Sequence, residues 1–310
     1  MKQEYGCDFT RIALKSADSW ELKIENDRFT DEFGIVRQKA SIYYDIVEYP
    51  LADADRSDLE NFDWPDPHDP GRTRGLKEEA KKLYQETDYV IIADMISGGI
   101  FEQALRMRGY RQFFLDLVEN QDFAHALLDK LLEVYLGLYE NYIEAVGDYT
   151  HIFALADDLG MQNGLIVSPS HYREFIKPRQ RQLYKFIKER AEDSYIFHHS
   201  CGSIFPLIGD LIEVGVDILQ SVQTSASNMD IRKIKQEFGQ DLTFYGAIDV
   251  QHMLPERSAA KVAEVVKETI NILGQDGGYV LSASHNIQPD VPPENIDAIF
   301  KTSLEMHKNQ

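Results

Sequence analysis

The chain has 310 residues, 43% hydrophobic and 27% charged, enough for one large barrel or two ordinary domains and normal for a soluble protein. Its 32 basic and 52 acidic residues leave a net charge of −20, a field that repels a phosphate backbone and excludes nucleic acid as a partner. No run reaches the ~20 apolar residues of a membrane helix, the start MKQEYGCDFT lacks a signal-peptide pattern, and the distant Cys7 and Cys201 give no disulfide framework, so a cytoplasmic protein without membrane association is expected.

In chain order, residues 8–16 read as a short strand, and residues 20 to 50 are strand-like, most clearly over the β-branched and aromatic run 40–47. A rigid loop of turn formers follows, from Trp64 to Gly71. A helix over 76–86 then precedes a strand over 89–94, and long amphipathic helices run to about 147. The strand over 151–156 ends in Asp157 and Asp158. Helices near 170–190, 204–213, 229–238 and 258–274 lead in turn to strands over 195–199, 216–220, 242–246 and 278–282, and a final helix follows.

Short β-branched strands alternating with helices indicate a parallel sheet buried on both faces. A doubly wound sheet would usually show a Gly-rich phosphate turn after its first strand, and none is present. Polar residues instead stand at the C-terminal end of strand after strand: Asp94, Asp157, His199, Gln220, Asp249 and His285. In a barrel those ends share one mouth. The expected fold is therefore α/β, a (β/α)8 TIM barrel forming a single domain over 1–310, with a β-rich insertion at about 20–72. Only seven strands are counted, so the first strand is lacking or replaced, or an eighth is hidden within 20–50.

The sharpest chemical signal is His199-Ser200-Cys201-Gly202. Residues two apart at a strand end share a face, so His199 and Cys201 aim together while His198 points away. Imidazole and thiolate suit zinc, and a catalytic zinc site takes three protein ligands and keeps a fourth position open. His285, just beyond the last strand, is placed to be the third; the plainer reading is a small buried cysteine filling the core. One of Asp157 and Asp158 contacts a metal, orients a ligand histidine or binds a polar substrate, or both are a helix N-terminal cap or plain loop charge. Asp94, ahead of Ser97-Gly98-Gly99, serves a ligand or a helix cap. Gln223 and Asp249 line the cavity or are plain loop polarity, and Tyr245 supplies pocket wall.

The segments 156–164 (ADDLGMQNG), 199–203 (HSCGS), 246–249 (GAID) and the Pro-rich loop 285–295 together resemble the uroporphyrinogen decarboxylase superfamily, most closely its methyltransferase-type members, over roughly residues 85–305. That resemblance implies a (β/α)8 barrel in which a His-x-Cys pair and a later cysteine hold zinc. The pair matches His199 and Cys201; the later position falls on His285, giving a His2Cys set. It further implies methyl transfer between a small methylated substrate or thiol and a corrinoid (cobalamin) carried by a partner protein. Asp158 and Asp94 would be catalytic, and Gln223, Asp249, Tyr245 and Phe101 would bind substrate, the two aromatics suiting a methoxyaromatic.

Relatives begin several tens of residues earlier, so the chain reads as starting after the first barrel strand, truncated or closed by a partner chain. Their habits imply a homodimer. True uroporphyrinogen decarboxylation is the alternative, although the N-terminal arginine motif that grips its substrate's carboxylates has no match here. A non-catalytic binding barrel is the third reading.

Overall fold

Residues 5–308 are described by a computed structural model, in which the chain divides into two compact units. One comprises Thr10–Asp157 with Ser170–Ser194; the other comprises Met1–Phe9, Asp158–Pro169 and Tyr195–Gln310.

In the first of these, β1 (Phe9–Ile12) precedes β2 (Arg28–Thr30), β3 (Val36–Lys39) and β4 (Tyr44–Glu48). The last three pair antiparallel in a separate sheet, so no eighth barrel strand lies within residues 20–50. Asp31 builds the turn between β2 and β3, its carboxylate accepting the N–H groups of Phe33 (3.0 Å) and Ile35 (3.1 Å). The strand expected over 40–47 begins only at Tyr44, because the preceding residues form a turn closed by the Ala40 N–H donating to the Tyr43 carbonyl at 3.0 Å. Residue chemistry there favours a strand, but the chain reversal takes precedence.

β5 (Val90–Ala93) and β6 (Ile152–Ala156) pair parallel and are almost wholly buried. Between them the amphipathic stretch resolves into helices Ile100–Arg108, Tyr110–Glu119 and Gln121–Val146. The first break is at Gly109, whose φ of +87° suits glycine. The 26-residue third helix spans about 39 Å. It buries Ala124, Leu127, Leu128, Leu131, Tyr135, Leu138 and Tyr142, the i, i+3, i+4 stripe of a core-facing helix. Its tyrosine hydroxyls reach the strands: Tyr139 donates to the Ala154 carbonyl (3.2 Å) and Tyr142 to that of Ile12 (2.6 Å). The helix expected near 170–190 contains a π turn, Tyr172–Ile176, ahead of its regular part, Lys177–Arg190. Pro178 has no N–H and its ring would crowd the Glu174 carbonyl in a regular helix; the wider turn removes that clash.

The second unit opens with a small hairpin, β7 (Gly160–Met161) and β8 (Gly164–Leu165). Then β9 (Tyr195–His199), β10 (Ile218–Ser221), β11 (Thr243–Ile248) and β12 (Tyr279–Ala283) pair parallel, each with the next. Helices Ile208–Val214, Ile231–Phe238, Ala259–Leu273 and Pro293–Lys308 alternate with and follow them. Asp230 caps the second, accepting from the N–H groups of Arg232 (2.8 Å) and Lys233 (3.1 Å). Ile248, Leu254, Val262, Val266, Val291 and Ile299 form a buried cluster, each side chain contributing ~1.5–3 kcal/mol by leaving water.

The fold is α/β of the (β/α) barrel class, and among the described residues seven strands, β1, β5, β6 and β9–β12, are counted for it, where a closed barrel has eight. No helix among the described residues is long and apolar enough to cross a membrane.

Candidate metal centre

β9 ends on two histidines with opposite fates. His198 is fully buried, and loss of hydration, helped by the neighbouring His199, pushes its imidazole down to about 3. His199 faces the other way, as strand alternation requires, with 15% of its side chain exposed. It stands opposite Gln220 of β10, which in turn stands opposite Tyr245 of β11. The Nδ1 atom of His199 is hydrogen-bonded to Oε1 of Gln220. Its Nε2 lies 3.4 Å from Cys201 Sγ and 3.7 Å from Asp158 Oδ1.

His285 arrives from the far end of the unit, two residues beyond β12, and its ring centroid is 5.8 Å from that of His199. One ligand atom from each of His199, Cys201 and His285 can be chosen so that all lie within 4.8 Å of one another. Partial loss of hydration, then the nearby His199, lowers the His285 imidazole, and Asp158 partly opposes them. The neutral form thus favoured is the form that binds a metal.

The segment carrying Cys201 is tied at every residue. The Ser200 N–H donates to the Gln220 carbonyl (2.7 Å), the Cys201 N–H to Asp158 Oδ1 (2.8 Å), and the Gly202 N–H to Gln223 Oε1 (2.9 Å). Ser200 Oγ accepts the Leu159 N–H at 3.0 Å. Gly202 has a φ of +82°, and a Cβ there would sit 2.5 Å from the Gly160 carbonyl carbon. Glycine at 202 therefore lets two backbones touch directly beside the cysteine.

Of the other residues singled out from sequence, Asp158 and Gln223 lie against this segment. Gln223 also donates from Nε2 to Gln162 Oε1 (3.0 Å) and Gln251 Oε1 (3.3 Å), within a patch of neutral amides. The Asp249 carboxylate accepts the N–H groups of Gln251 (3.1 Å), His252 (2.9 Å) and Met253 (2.9 Å). Burial works to raise that carboxyl, but these amides outweigh it and the net shift is downward. Tyr245 is packed edge-on between Phe9 and Phe197. Asp94 and Phe101 belong to the other unit. There Asp94 is ion-paired with Arg11 at 2.5 Å, and Phe101 is fully buried against Phe113.

Sequence reasoning noted Gln220 only as one polar strand end; its opposition to His199 depends on strand register, which no local pattern prints. It also gave no role to Arg11, whose partner Asp94 is 83 residues away. Asp157 takes the capping role that the sequence left open for it. It is buried in the first unit, capping the helix that starts at Ile100 by accepting the N–H groups of Phe101 (3.3 Å) and Glu102 (2.8 Å), and it accepts from Gln180 Nε2 (3.1 Å).

The family model for uroporphyrinogen decarboxylase (URO-D) matches residues 46–306. The chain is 27% identical over 180 residues to a uroporphyrinogen decarboxylase from Hydrogenobaculum sp. (strain Y04AAS1), covering 58% of this chain and 48% of that protein. It is 25% identical over 182 residues to the methylated-thiol–coenzyme M methyltransferase of Methanosarcina mazei, covering 59% of this chain and 44% of that one. The chain thus spans about half the length of the curated relatives it matches. Among solved structures, a methyltransferase from Methanosarcina mazei superposes with a TM-score of 0.68 at 20% identity, over 99% of this chain and 82% of that one, a likeness of fold.

Proposed function

Since the chain belongs to the uroporphyrinogen decarboxylase (URO-D) family, we propose that it is a zinc-dependent methyltransferase, moving a methyl group between a small methylated substrate or thiol and a corrinoid carried by a partner protein. The observation that carries this reading is the gathering of His199, Cys201 and His285 within 4.8 Å. Two imidazoles and a thiolate form a donor set suited to zinc, and three protein ligands leave one position for a substrate atom. The 3.4 Å between His199 Nε2 and Cys201 Sγ already fits the roughly 3.4–3.7 Å edge of a tetrahedron with ~2.0–2.3 Å bonds. The similarity to a named methyltransferase supports the same reading.

When bound there, zinc supplies a Lewis acid and a template for the sulfur, oxygen or nitrogen that loses or gains the methyl group. The chain's own residues hold that arrangement. Asp158 fixes Cys201 through its backbone and adds negative charge beside His199. Gln223 fixes the following glycine, and its amide patch offers neutral hydrogen-bonding groups to a polar substrate. A reducing cytoplasm would keep Cys201 reduced, as the thiol that gives up its proton when a metal binds.

The test is metal content together with methyl transfer from methylcobalamin to a thiol, comparing wild type with Cys201→Ser and His285→Ala. One zinc per chain, lost with the activity in both variants, is the expected result. A wild-type chain that retains no zinc after loading and dialysis overturns the metal reading.

The names of the decarboxylase relatives favour a second reading, decarboxylation of uroporphyrinogen without a metal. Release of carbon dioxide from that substrate, undiminished by Cys201→Ser, would establish it in place of the first.

A further inference from the structure

We propose that Gln220 is a positioning residue that holds His199 as the Nδ1–H tautomer, leaving the Nε2 lone pair directed at the centre shared with Cys201. The inference rests on the metal reading above and concerns how this chain prepares one of its ligands.

Three observations carry it. Gln220 is the ladder partner of His199, and paired residues of neighbouring strands project to the same side of the sheet ~4.8 Å apart. The two side chains meet, His199 Nδ1 against Gln220 Oε1. Nε2, at the opposite corner of the ring, is the nitrogen that faces Cys201 Sγ, at 3.4 Å. In a neutral imidazole one nitrogen donates and the other accepts, so an acceptor at Nδ1 selects a bare Nε2.

The same glutamine grips the segment a second time, through its backbone carbonyl on the Ser200 N–H at 2.7 Å. Side chain and main chain of one residue thus hold consecutive residues just ahead of Cys201. Because Gln220 lies within β10, between β9 and β11, its own backbone is fixed by the ladder on both sides. Ring orientation and tautomer are therefore set before any ligand arrives, as outer partners of metal-binding histidines do. An amide in this role adds no charge, where a carboxylate would make the imidazole more basic and the site more negative.

Two measurements test it. Long-range nitrogen–proton NMR of metal-free protein, with the His199 signals assigned through their loss in His199→Asn, is expected to show Nδ1 protonated and Nε2 bare in wild type. Gln220→Leu is expected to lose that preference. Zinc competition with a chromophoric chelator should show binding ~10–100-fold weaker in Gln220→Leu, with Gln220→Glu, which keeps an acceptor, at least as tight as wild type. Thermal unfolding of both variants is the folding control. An Nε2–H tautomer in wild type, or a folded Gln220→Leu with wild-type tautomer and affinity, overturns the assignment. Should wild type bind no zinc at all, the metal reading falls, while the NMR result on metal-free protein still decides the role of Gln220.

Discussion

Asp158 Oδ1 accepts the Cys201 N–H at 2.8 Å, joining residues 43 positions apart in the sequence. The carboxylate acts on the cysteine's backbone, so its charge matters less there than its oxygen. With 34% of the Asp158 side chain exposed, water screens the bond and reduces the ~1.5–3 kcal/mol of a buried charged one. Asp158→Ala is expected to weaken zinc binding by about 1 kcal/mol, several-fold, measured by chelator competition. Asp158→Asn keeps the acceptor and should recover most of that loss. Equal losses in the two variants would show that charge is what matters.

Gly202→Ala meets two obstacles together, a φ of +82° and a Cβ 2.5 Å from a backbone carbon of Gly160. The left-handed conformation alone costs ~1–2 kcal/mol for an L-residue, and relieving the contact requires the backbone to move. Denaturant unfolding should show a loss of at least ~2 kcal/mol, accompanied by weakened metal binding. A variant with wild-type stability would mean the two backbone segments can separate freely.

Burial pushes the Asp157 carboxyl up to about 7, with Glu102 adding to the rise and the Phe101 and Glu102 amides and Gln180 opposing it. Its folded value thus lies above the ordinary 3.8, and between about pH 4 and pH 7 the folded state binds more protons than the unfolded one. The stabilisation is full below pH 4 and declines as pH rises through the folded value. Asp157→Asn removes this contribution, so the difference in unfolding free energy between wild type and variant should change by on the order of a few kcal/mol across that window. Parallel pH profiles would count against a raised carboxyl. The slope is the readout, since asparagine cannot reproduce every hydrogen bond.

The buried Tyr142 hydroxyl donates to the Ile12 carbonyl at 2.6 Å, tying the longest helix to β1. The same carbonyl also accepts the Asp94 N–H at 2.8 Å, so removing the hydroxyl leaves it satisfied. Tyr142→Phe should therefore cost only ~0.5–1.5 kcal/mol, read as a lowered denaturant midpoint with unchanged slope. A loss above ~3 kcal/mol would indicate that the hydroxyl supports more than this one bond.

Elements whose cause is local were legible in the sequence. The apolar run before His199 gave β9 over its actual span, and the helix read over 76–86 is found as Leu76–Glu86. Period-two alternation was enough to separate His199 from His198. Local patterns failed where distant groups decide. The run over 40–47 has strand chemistry throughout, yet its first part is consumed by a turn. The helix expected near 170–190 carried no sign of the π turn that precedes Pro178. Gln220 opposite His199, and Arg11 against Asp94, are products of strand register and tertiary pairing. A polar residue at a strand end names a neighbourhood; the ladder chooses its neighbour.

β12 differs from the strands before it. All five of its residues are only partly buried, whereas the interior residues of β9 are sealed, and its sole ladder partner among the described residues is β11. His285 follows it closely, so two donors stand on the well-protected side of the centre and one on the side most ready to fray. Amide protons of β12 should then exchange with solvent sooner than those of β9. Escape of a bound ion would begin with His285 letting go, and its residence time would be governed by the breathing of a single strand.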